Sequence, residues 1–349
     1  MTKTSKRISA LMVMALAGSP HSLLGETLAF ALIGDVPYET TAGAPSYVRM
    51  IDAINTSYKK VKFTIHAGDI KPGNTLCSDS VYSSNVDYFN RFADASIFLP
   101  GDNEWTDCHR ANNGSYDPVE RLGFLRSTFY TSNLSLGRKP ITLSRQAGYP
   151  ENVMWTAASV IFVGLNMPGS NNNRNRTDGL FQDPTDAEYT ARNTANLAWL
   201  NAAFDMAAAD PTIKGILIVG QANPFERFLE PVSASLAIPY KVSGYADFIS
   251  TLRTRTIQWG KPVVYVNGDT HYFRIDRPMT GTYPGCTGGQ NTIATPCVAI
   301  AAPGSPTDRV DNFTRVEVFG QNDVHWVRGF IDTDDPRVFT FAPQTVTGN

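Results

Sequence analysis

Four apolar runs in this chain of 349 residues end in the same pair. They are Ala31-Leu32-Ile33-Gly34-Asp35, Thr64-Ile65-His66-Ala67-Gly68-Asp69, Ile97-Phe98-Leu99-Pro100-Gly101-Asp102 and Val263-Val264-Tyr265-Val266-Asn267-Gly268-Asp269. A short apolar run closed by Gly reads as a buried strand leading into a tight turn. One Gly-Asp pair is an ordinary turn or cap. Four of them, spread over most of the chain, call for a fold that brings strand ends to a common place.

The segments between these runs supply such a fold. Val48, Ile51, Ile54 and Tyr58 fall at helical spacing after the first run, and Val86, Phe89 and Phe92 do so after the second. The order strand, helix, strand, helix, strand over 28–99 is that of a parallel sheet with helices packed on it. Ligands of such sheets bind at the carboxyl ends of the strands, where the Gly-Asp turns stand. Further on, Val153–Ala157 and Val160–Leu165 read as a strand pair opening a second sheet, and Ser170–Asp178 as a polar loop outside the core. Asp186–Ala209 is the longest helix, Gly215–Val219 another buried strand, and Gly244–Trp259 a helix. The alternating tail (Thr314–Phe319, Val324–Ile331, Val338–Phe341) is expected to close the second sheet.

Composition narrows the function classes. Charged residues make up 18% of the chain and the formal net charge is −2, which gives no reason to expect nucleic acid as a partner. Lys3, Lys6 and Arg7, the apolar Ile8–Ala17 and the small-x-small Ala15-Leu16-Ala17 make 1–25 a signal peptide, leaving 26–349 as a single domain. No stretch reaches the roughly 20 apolar residues of a membrane span. Export agrees with the four cysteines, Cys77, Cys108, Cys286 and Cys297, which form no Cys-x-x-Cys pair and lie in loop-like sequence. Of the three possible pairings, Cys77–Cys108 is favoured because each follows a Gly-Asp turn, with Cys286–Cys297 closing a Gly-rich loop. Asn55, Asn113, Asn133, Asn175 and Asn312 head glycosylation sequons, which matter only in a eukaryotic source.

The order and company of the four turns resemble the calcineurin-like metallophosphoesterases, which include the purple acid phosphatases. Their signature runs Asp-x-His, Gly-Asp, Gly-Asn-His-Glu/Asp, a lone His after a strand, then Gly-His-x-His. The resemblance spans roughly residues 28–275. It implies a four-layer αββα sandwich, two mixed β-sheets flanked by helices, and a centre holding one or two divalent metal ions. Asp35 fits the first aspartate, but Pro37 stands where the family has a histidine. Asp69 fits the carboxylate that bridges two metals. Asp102 replaces an asparagine ligand, Asn103 the histidine that protonates the leaving group, Gln221 the lone histidine, and Asp269 the first histidine of the last motif. His271 keeps the second.

The metal set the resemblance implies is therefore Asp35, Asp69, Asp102, Gln221, Asp269 and His271, five oxygen donors and one nitrogen. Such a set favours Mn, Mg, Ca or Fe over Zn. A cation there could polarise a phosphoryl oxygen and activate water. Asn103 can donate a hydrogen bond but no proton, and His109 fills the place of the general acid if its loop folds back. Glu104 is expected to orient neighbours, Tyr38, Asn166, Arg174, Arg176 and Arg274 are candidates to touch ligand, and His66 is expected to be structural. The function implied is hydrolysis of phosphate esters of small molecules. The alternative is a secreted protein that binds metal or a phosphorylated ligand with little turnover. A serine hydrolase is disfavoured, since no Gly-x-Ser-x-Gly elbow is present.

Overall fold

Strand β1 (Thr27–Ile33) alternates its side chains between two apolar layers: Phe30 and Leu32 turn one way, Ala31 and Ile33 the other. The same alternation recurs in the strands that follow, and it dictates a sheet covered on both faces. The computed structural model describes residues 26–39, 42–174, 176, 180–225, 243–279, 282–284, 299–301 and 310–349. The proposed signal peptide, the Gly-rich loop with Cys286 and Cys297, and Asn175 fall outside them.

Parallel to β1 run β2 (Phe63–His66) and β3 (Ala95–Phe98). The crossovers carry helices α1 (Pro45–Asn55) and α2 (Asp79–Phe89). Helix α3 (Pro118–Phe129) starts at Asp117, whose side chain accepts from the Val119 amide, with Pro118 in the first turn where no amide hydrogen is needed. A short β4 (Leu136–Gly137) pairs antiparallel with β3. Then β5 (Ser144–Gln146), β6 (Tyr149–Ala157) and β7 (Val160–Gly164) form a meander. A one-turn element α4 (Gly169–Asn172) and the long α5 (Ala187–Ala209) lead to β8 (Gly215–Val219). Helix α6 (Ala246–Trp259) ends at Gly260, which adopts the left-handed conformation that terminates helices at little cost. After it come β9 (Val263–Asn267), β10 (Arg274–Asp276), the ribbon of β11 (Thr282–Pro284) and β12 (Ala299–Ala301), and β13 (Phe313–Glu317). The chain closes with β14 (Trp326–Asp332) and β15 (Phe339–Gln344).

Two mixed sheets result. The first has the order β15-β14-β1-β2-β3-β4, the second β10-β13-β9-β8-β7-β6-β5. Between them lies an apolar layer that includes Phe30, Ile65 and Leu99 from one sheet and Phe162, Leu217 and Val264 from the other. Outside the first sheet, Tyr47, Ile51, Phe89 and Leu122 of α1, α2 and α3 cover Ile33 and Phe98. Outside the second, Leu200, Phe204 and Phe248 of α5 and α6 cover Ile218 and Tyr265. Each such side chain contributes about 1.5–3 kcal/mol when fully buried. This is the four-layer αββα sandwich, with the carboxyl ends of β1, β2, β3, β7, β8 and β9 gathered at one end of the seam.

Three expectations change. The tail divides: β13 joins the second sheet beside β9, but β14 and β15 extend the first sheet beside β1. Helix α1 stops at Asn55, so Tyr58 is 99% exposed rather than part of the inner face. The Asn-rich segment belongs to the interior: Asn171, Asn172 and Asn173 are buried, because Arg192 on α5, itself fully buried, donates to the Asn172 carbonyl and side chain. Asn113 is likewise enclosed and donates to the Asp107 carbonyl, which leaves it no access to glycosylation in the folded chain. The disulfide Cys77–Cys108 is present, tying the loop after Asp69 to the turn after Asp102.

Candidate functional site

Each Gly-Asp turn has a local cause. Asp35, Asp69 and Asp269 all adopt left-handed backbone conformations, with φ of 53°, 61° and 76°. Among residues with a Cβ, Asp and Asn tolerate this region best. The bend swings each carboxylate off the strand axis into the seam between the sheets. The glycines beside them leave room: a Cβ on Gly101 or Gly268 would collide with the carboxylate of Asp69 or Asp35 respectively.

The sheets are joined across the seam by these groups. The Asp269 amide donates to both oxygens of Asp35, at 3.0 and 3.2 Å. Asp69 accepts three bonds: Tyr38 Oη (2.9 Å) and Asn103 Nδ2 (2.7 Å) on Oδ2, and the Asn103 amide (3.2 Å) on Oδ1. Gln221 bridges two elements, its Oε1 accepting the Gly169 amide at 2.5 Å and its Nε2 donating to Asp269 Oδ1 at 3.3 Å. The Gly169 amide can only donate, so this amide orientation is fixed. Asp102 accepts the Ser170 hydroxyl on Oδ2 at 2.8 Å, while its Oδ1 is buried with no partner. His271 donates from Nδ1 to the Gln321 carbonyl at 2.7 Å, which turns Nε2 to within 3.5 Å of Asp35 Oδ1.

Four carboxylates in one buried space repel. Burial, and then the neighbouring carboxylates, hold Asp35, Asp69 and Asp269 well above the usual carboxylate range. Glu104 is the hub beneath them. Fully buried, it accepts the amides of Gly101, Asp69 and Ile70, and burial outweighs those bonds to push it to about 7. Asp107 is pushed to about 8 by burial and then by Asp102. The Ser170 hydroxyl lies 2.8 Å from Asp102 Oδ2 and 2.7 Å from Asp107 Oδ1. The one hydroxyl thus ties the Asp102 and Asp107 carboxyl groups together.

Asp35, Asp69, Asp102, Gln221, Asp269 and His271 are thus brought together, and Asn103 and Tyr38 stand among them. His109 occupies the same 3-10 turn as Asp107 (Thr106–His109), with its Nδ1 donating to the Thr106 carbonyl at 2.7 Å. His66 is structural, both ring nitrogens meeting backbone at Val36 and Gly68. Arg174 bonds the Ser243 carbonyl and Arg274 the Glu317 carboxylate. Asn166 lies deeper, its carbonyl accepting from Arg192 and Asn196 and its side chain donating to Glu151.

Several site residues escaped sequence reasoning. Glu317 is fully buried behind Asp269 and accepts from Thr270, Arg274 and Asn223. Its signal was the pair Arg315 and Glu317 two apart in an apolar strand, which places two charges on one inner face. Asp107 was flagged by nothing but the acid density of Asp102, Glu104 and Asp107. Arg110, exposed, reaches Asp107 at 2.6 Å and Ser170 at 3.3 Å. Ser170 and Gln321 act through long-range loops with no local signature.

A divalent cation is the group the motif resemblance implies, and the donor chemistry fits one. Asp102 Oδ1 is buried and unpartnered. Asp269 Oδ1 and Asp102 Oδ2 both face one small cradle: a Cβ on Gly169 would stand 2.7 and 2.8 Å from them. The Nδ1–H of His271 rests on a carbonyl, the arrangement that leaves Nε2 to act as a ligand. Among the described residues no group of three His, Cys, Asp or Glu side chains is arranged to hold a metal ion as it stands. Protein donors occupy the carboxylates instead, so a cation would have to displace hydrogen bonds to enter.

The fold and this cluster define a class of protein: a two-sheet α/β sandwich with carboxylates converging at the strand ends. No protein-family model matches the chain, and no curated protein matches it. Solved structures similar to it include GAP50, the anchor in the inner membrane complex of Plasmodium, at 12% identity and a TM-score of 0.44, covering 93% of this chain and 90% of that one. A 5′-nucleotidase from Candida albicans shows 12% identity and a TM-score of 0.43, covering 92% of this chain and 51% of that one. A purple acid phosphatase from yellow lupin (Lupinus luteus) seeds shows 11% identity and a TM-score of 0.44, covering 91% and 54%. The chain spans about half the length of the last two. All three have the calcineurin-like metallophosphoesterase fold.

Proposed function

We propose that this protein is a hydrolase of phosphate esters whose carboxylate cluster works with a divalent cation. The observation that carries the reading is the convergence of Asp35, Asp69, Asp102 and Asp269 from four strand ends into one buried space. For Asp35, Asp69 and Asp269 the largest influences are burial and other carboxylates. An anionic phosphate ester cannot approach such a cluster without positive charge. The bound cation would supply that charge, polarise a phosphoryl oxygen and lower the pKa of a water molecule.

The chain's own residues do the rest. Asp35, Asp102, Asp269 and His271 offer the donors, and Glu104 fixes the turns that present them. Arg110 stands at the rim as the cation an incoming phosphate meets first. Asn103 anchors Asp69 and Tyr38. His109 is the proposed acid, the group that would carry a proton to the leaving group, held in its turn by Nδ1 donating to the Thr106 carbonyl. The reading includes export, from the basic and apolar segment at the start of the sequence and the Cys77–Cys108 disulfide. Among the described residues no helix is long and apolar enough to cross a membrane.

One observation favours a second reading, cation or ligand binding with little turnover. The side chain in the place of the family's proton donor is Asn103, and its amide is taken up by Asp69 and Tyr38. Metal analysis of the purified protein together with an aryl phosphate assay under Mn²⁺ or Mg²⁺ decides. Turnover that is lost in Asp269→Asn supports the hydrolase. Cation held without turnover supports the binding reading, and neither cation nor turnover overturns both.

A further inference from the structure

We propose that the cluster holds a single divalent cation, ligated by Asp35, Asp102, Asp269 and His271, and that Asp69 and Gln221 are its hydrogen-bonded frame. The inference rests on the cation reading above and sharpens it, since the motif resemblance by itself implies a carboxylate shared between two ions.

The lone pairs decide the division. A carboxylate offers about four acceptor positions. Asp69 has three donors on it, from Tyr38 Oη, Asn103 Nδ2 and the Asn103 amide. Two of these donors also grip each other, Asn103 Nδ2 giving a bond to Tyr38 Oη at 2.9 Å, so the clamp is a closed ring rather than loose contacts. A shared ligand needs lone pairs on both oxygens facing outward, and both oxygens of Asp69 face protein donors. Gln221 is committed in the same way. Its oxygen accepts the Gly169 amide, and the group it turns toward the cluster is an NH₂, which repels a cation.

The other groups are held by fewer or longer bonds, and of Asp102 only Oδ2 is taken, by the Ser170 hydroxyl. Asp102 Oδ1 is buried with no donor. The bonds to Asp269, from Gln221 Nε2 at 3.3 Å and the Asn223 amide at 3.4 Å, are long and weak. Asp35 takes only the one Asp269 amide across both oxygens, and His271 Nε2 stands 3.5 Å from it. Asp102 Oδ2 and Asp269 Oδ1 converge on the Gly169 cradle. The donors least engaged by the protein are therefore those of Asp35, Asp102, Asp269 and His271, and Asp69 and Gln221 are not among them. His271, the one imidazole there among the described residues, has its second nitrogen fixed on the Gln321 carbonyl.

The test is the stoichiometry of Mn²⁺ binding to chelator-treated full-length protein, by calorimetry, with electron paramagnetic resonance of the loaded sample. One ion per chain with an uncoupled Mn²⁺ spectrum is expected. Asp69→Asn should still bind one ion, with affinity reduced by no more than the ~10–100-fold typical of an outer-shell group, whereas Asp269→Asn should bind none measurably. Two ions per chain with a spin-coupled spectrum would overturn the inference and leave the hydrolase reading standing. No ion bound to wild type would overturn both. Should Asp69→Asn fail to fold, the wild-type stoichiometry and spectrum still decide.

Discussion

The Gly169 cradle gives the sharpest single substitution. In Gly169→Ala the new methyl would stand 2.7 Å from Asp269 Oδ1, 2.8 Å from Asp102 Oδ2 and 2.9 Å from Asp102 Cγ, all inside the 3.0 Å that real Cβ contacts essentially never breach. Both carboxylates must give way, Asp269 against Gln221 and Asn223, Asp102 against Ser170. Overpacking of this kind costs about 1–3 kcal/mol, and the melting temperature should fall by about 2–4 °C per kcal/mol. The larger effect is on the cation, because the methyl fills the place toward which two of its donors turn. Affinity for Mn²⁺ should fall by at least ~100-fold, beyond what losing an outer-shell group produces. Calorimetry on the folded variant reads it, with Gly123→Ala as control: Gly123 is exposed inside α3 with nothing near its Cβ position, and Ala there should stabilise by roughly 0.5–1 kcal/mol. Gly169→Ala binding Mn²⁺ as tightly as wild type would refute the placement of the site.

Two further outcomes concern protons. His66, lowered by burial from 6.5 to about 4, contributes stability that is complete above pH 6.5 and lost as pH falls toward 4, about 3 kcal/mol in all. Glu104 and Asp107 are raised to about 7 and 8, so below their folded values the native chain holds protons that the unfolded chain has released since about pH 4. Between pH 6.5 and 8 these two acids act in the same sense as the raised carboxyls of Asp35, Asp69 and Asp269, and the urea midpoint of cation-free protein should fall as pH rises across that window; a flat or rising midpoint would contradict the burial of this acidic cluster. In the hydrolase, His109→Gln should lower aryl phosphate turnover by roughly 10²-fold or more while Mn²⁺ affinity stays unchanged. A loss under tenfold would remove His109 from the acid role.

Much of the site was readable because its parts are local. A run of β-branched residues followed by Gly-Asp states both the strand and the turn, and Asp tolerates the left-handed backbone that such turns need at 35, 69 and 269. Cys77 and Cys108 were paired on the same logic. The failures are long-range. β13, β14 and β15 share one alternating pattern, and nothing in it says that Val327 pairs with Leu32 of β1 while Val316 pairs with Val266 of β9. The Asn-rich segment looked solvated because its burial depends on Arg192, reaching in from α5 about twenty residues later. Which carboxylate carries donors and which is left open depends on Tyr38, Asn103 and Ser170, side chains whose meeting requires the finished fold.

Anomalous diffraction from a Mn²⁺-soaked crystal tests the cation site most directly. We expect one manganese peak in contact with Asp35, Asp102, Asp269 and His271, absent from Asp269→Asn crystals soaked in the same way. A peak elsewhere on the molecule, or none at these carboxylates while the protein still hydrolyses phosphate esters, would contradict a function built on the four strand ends.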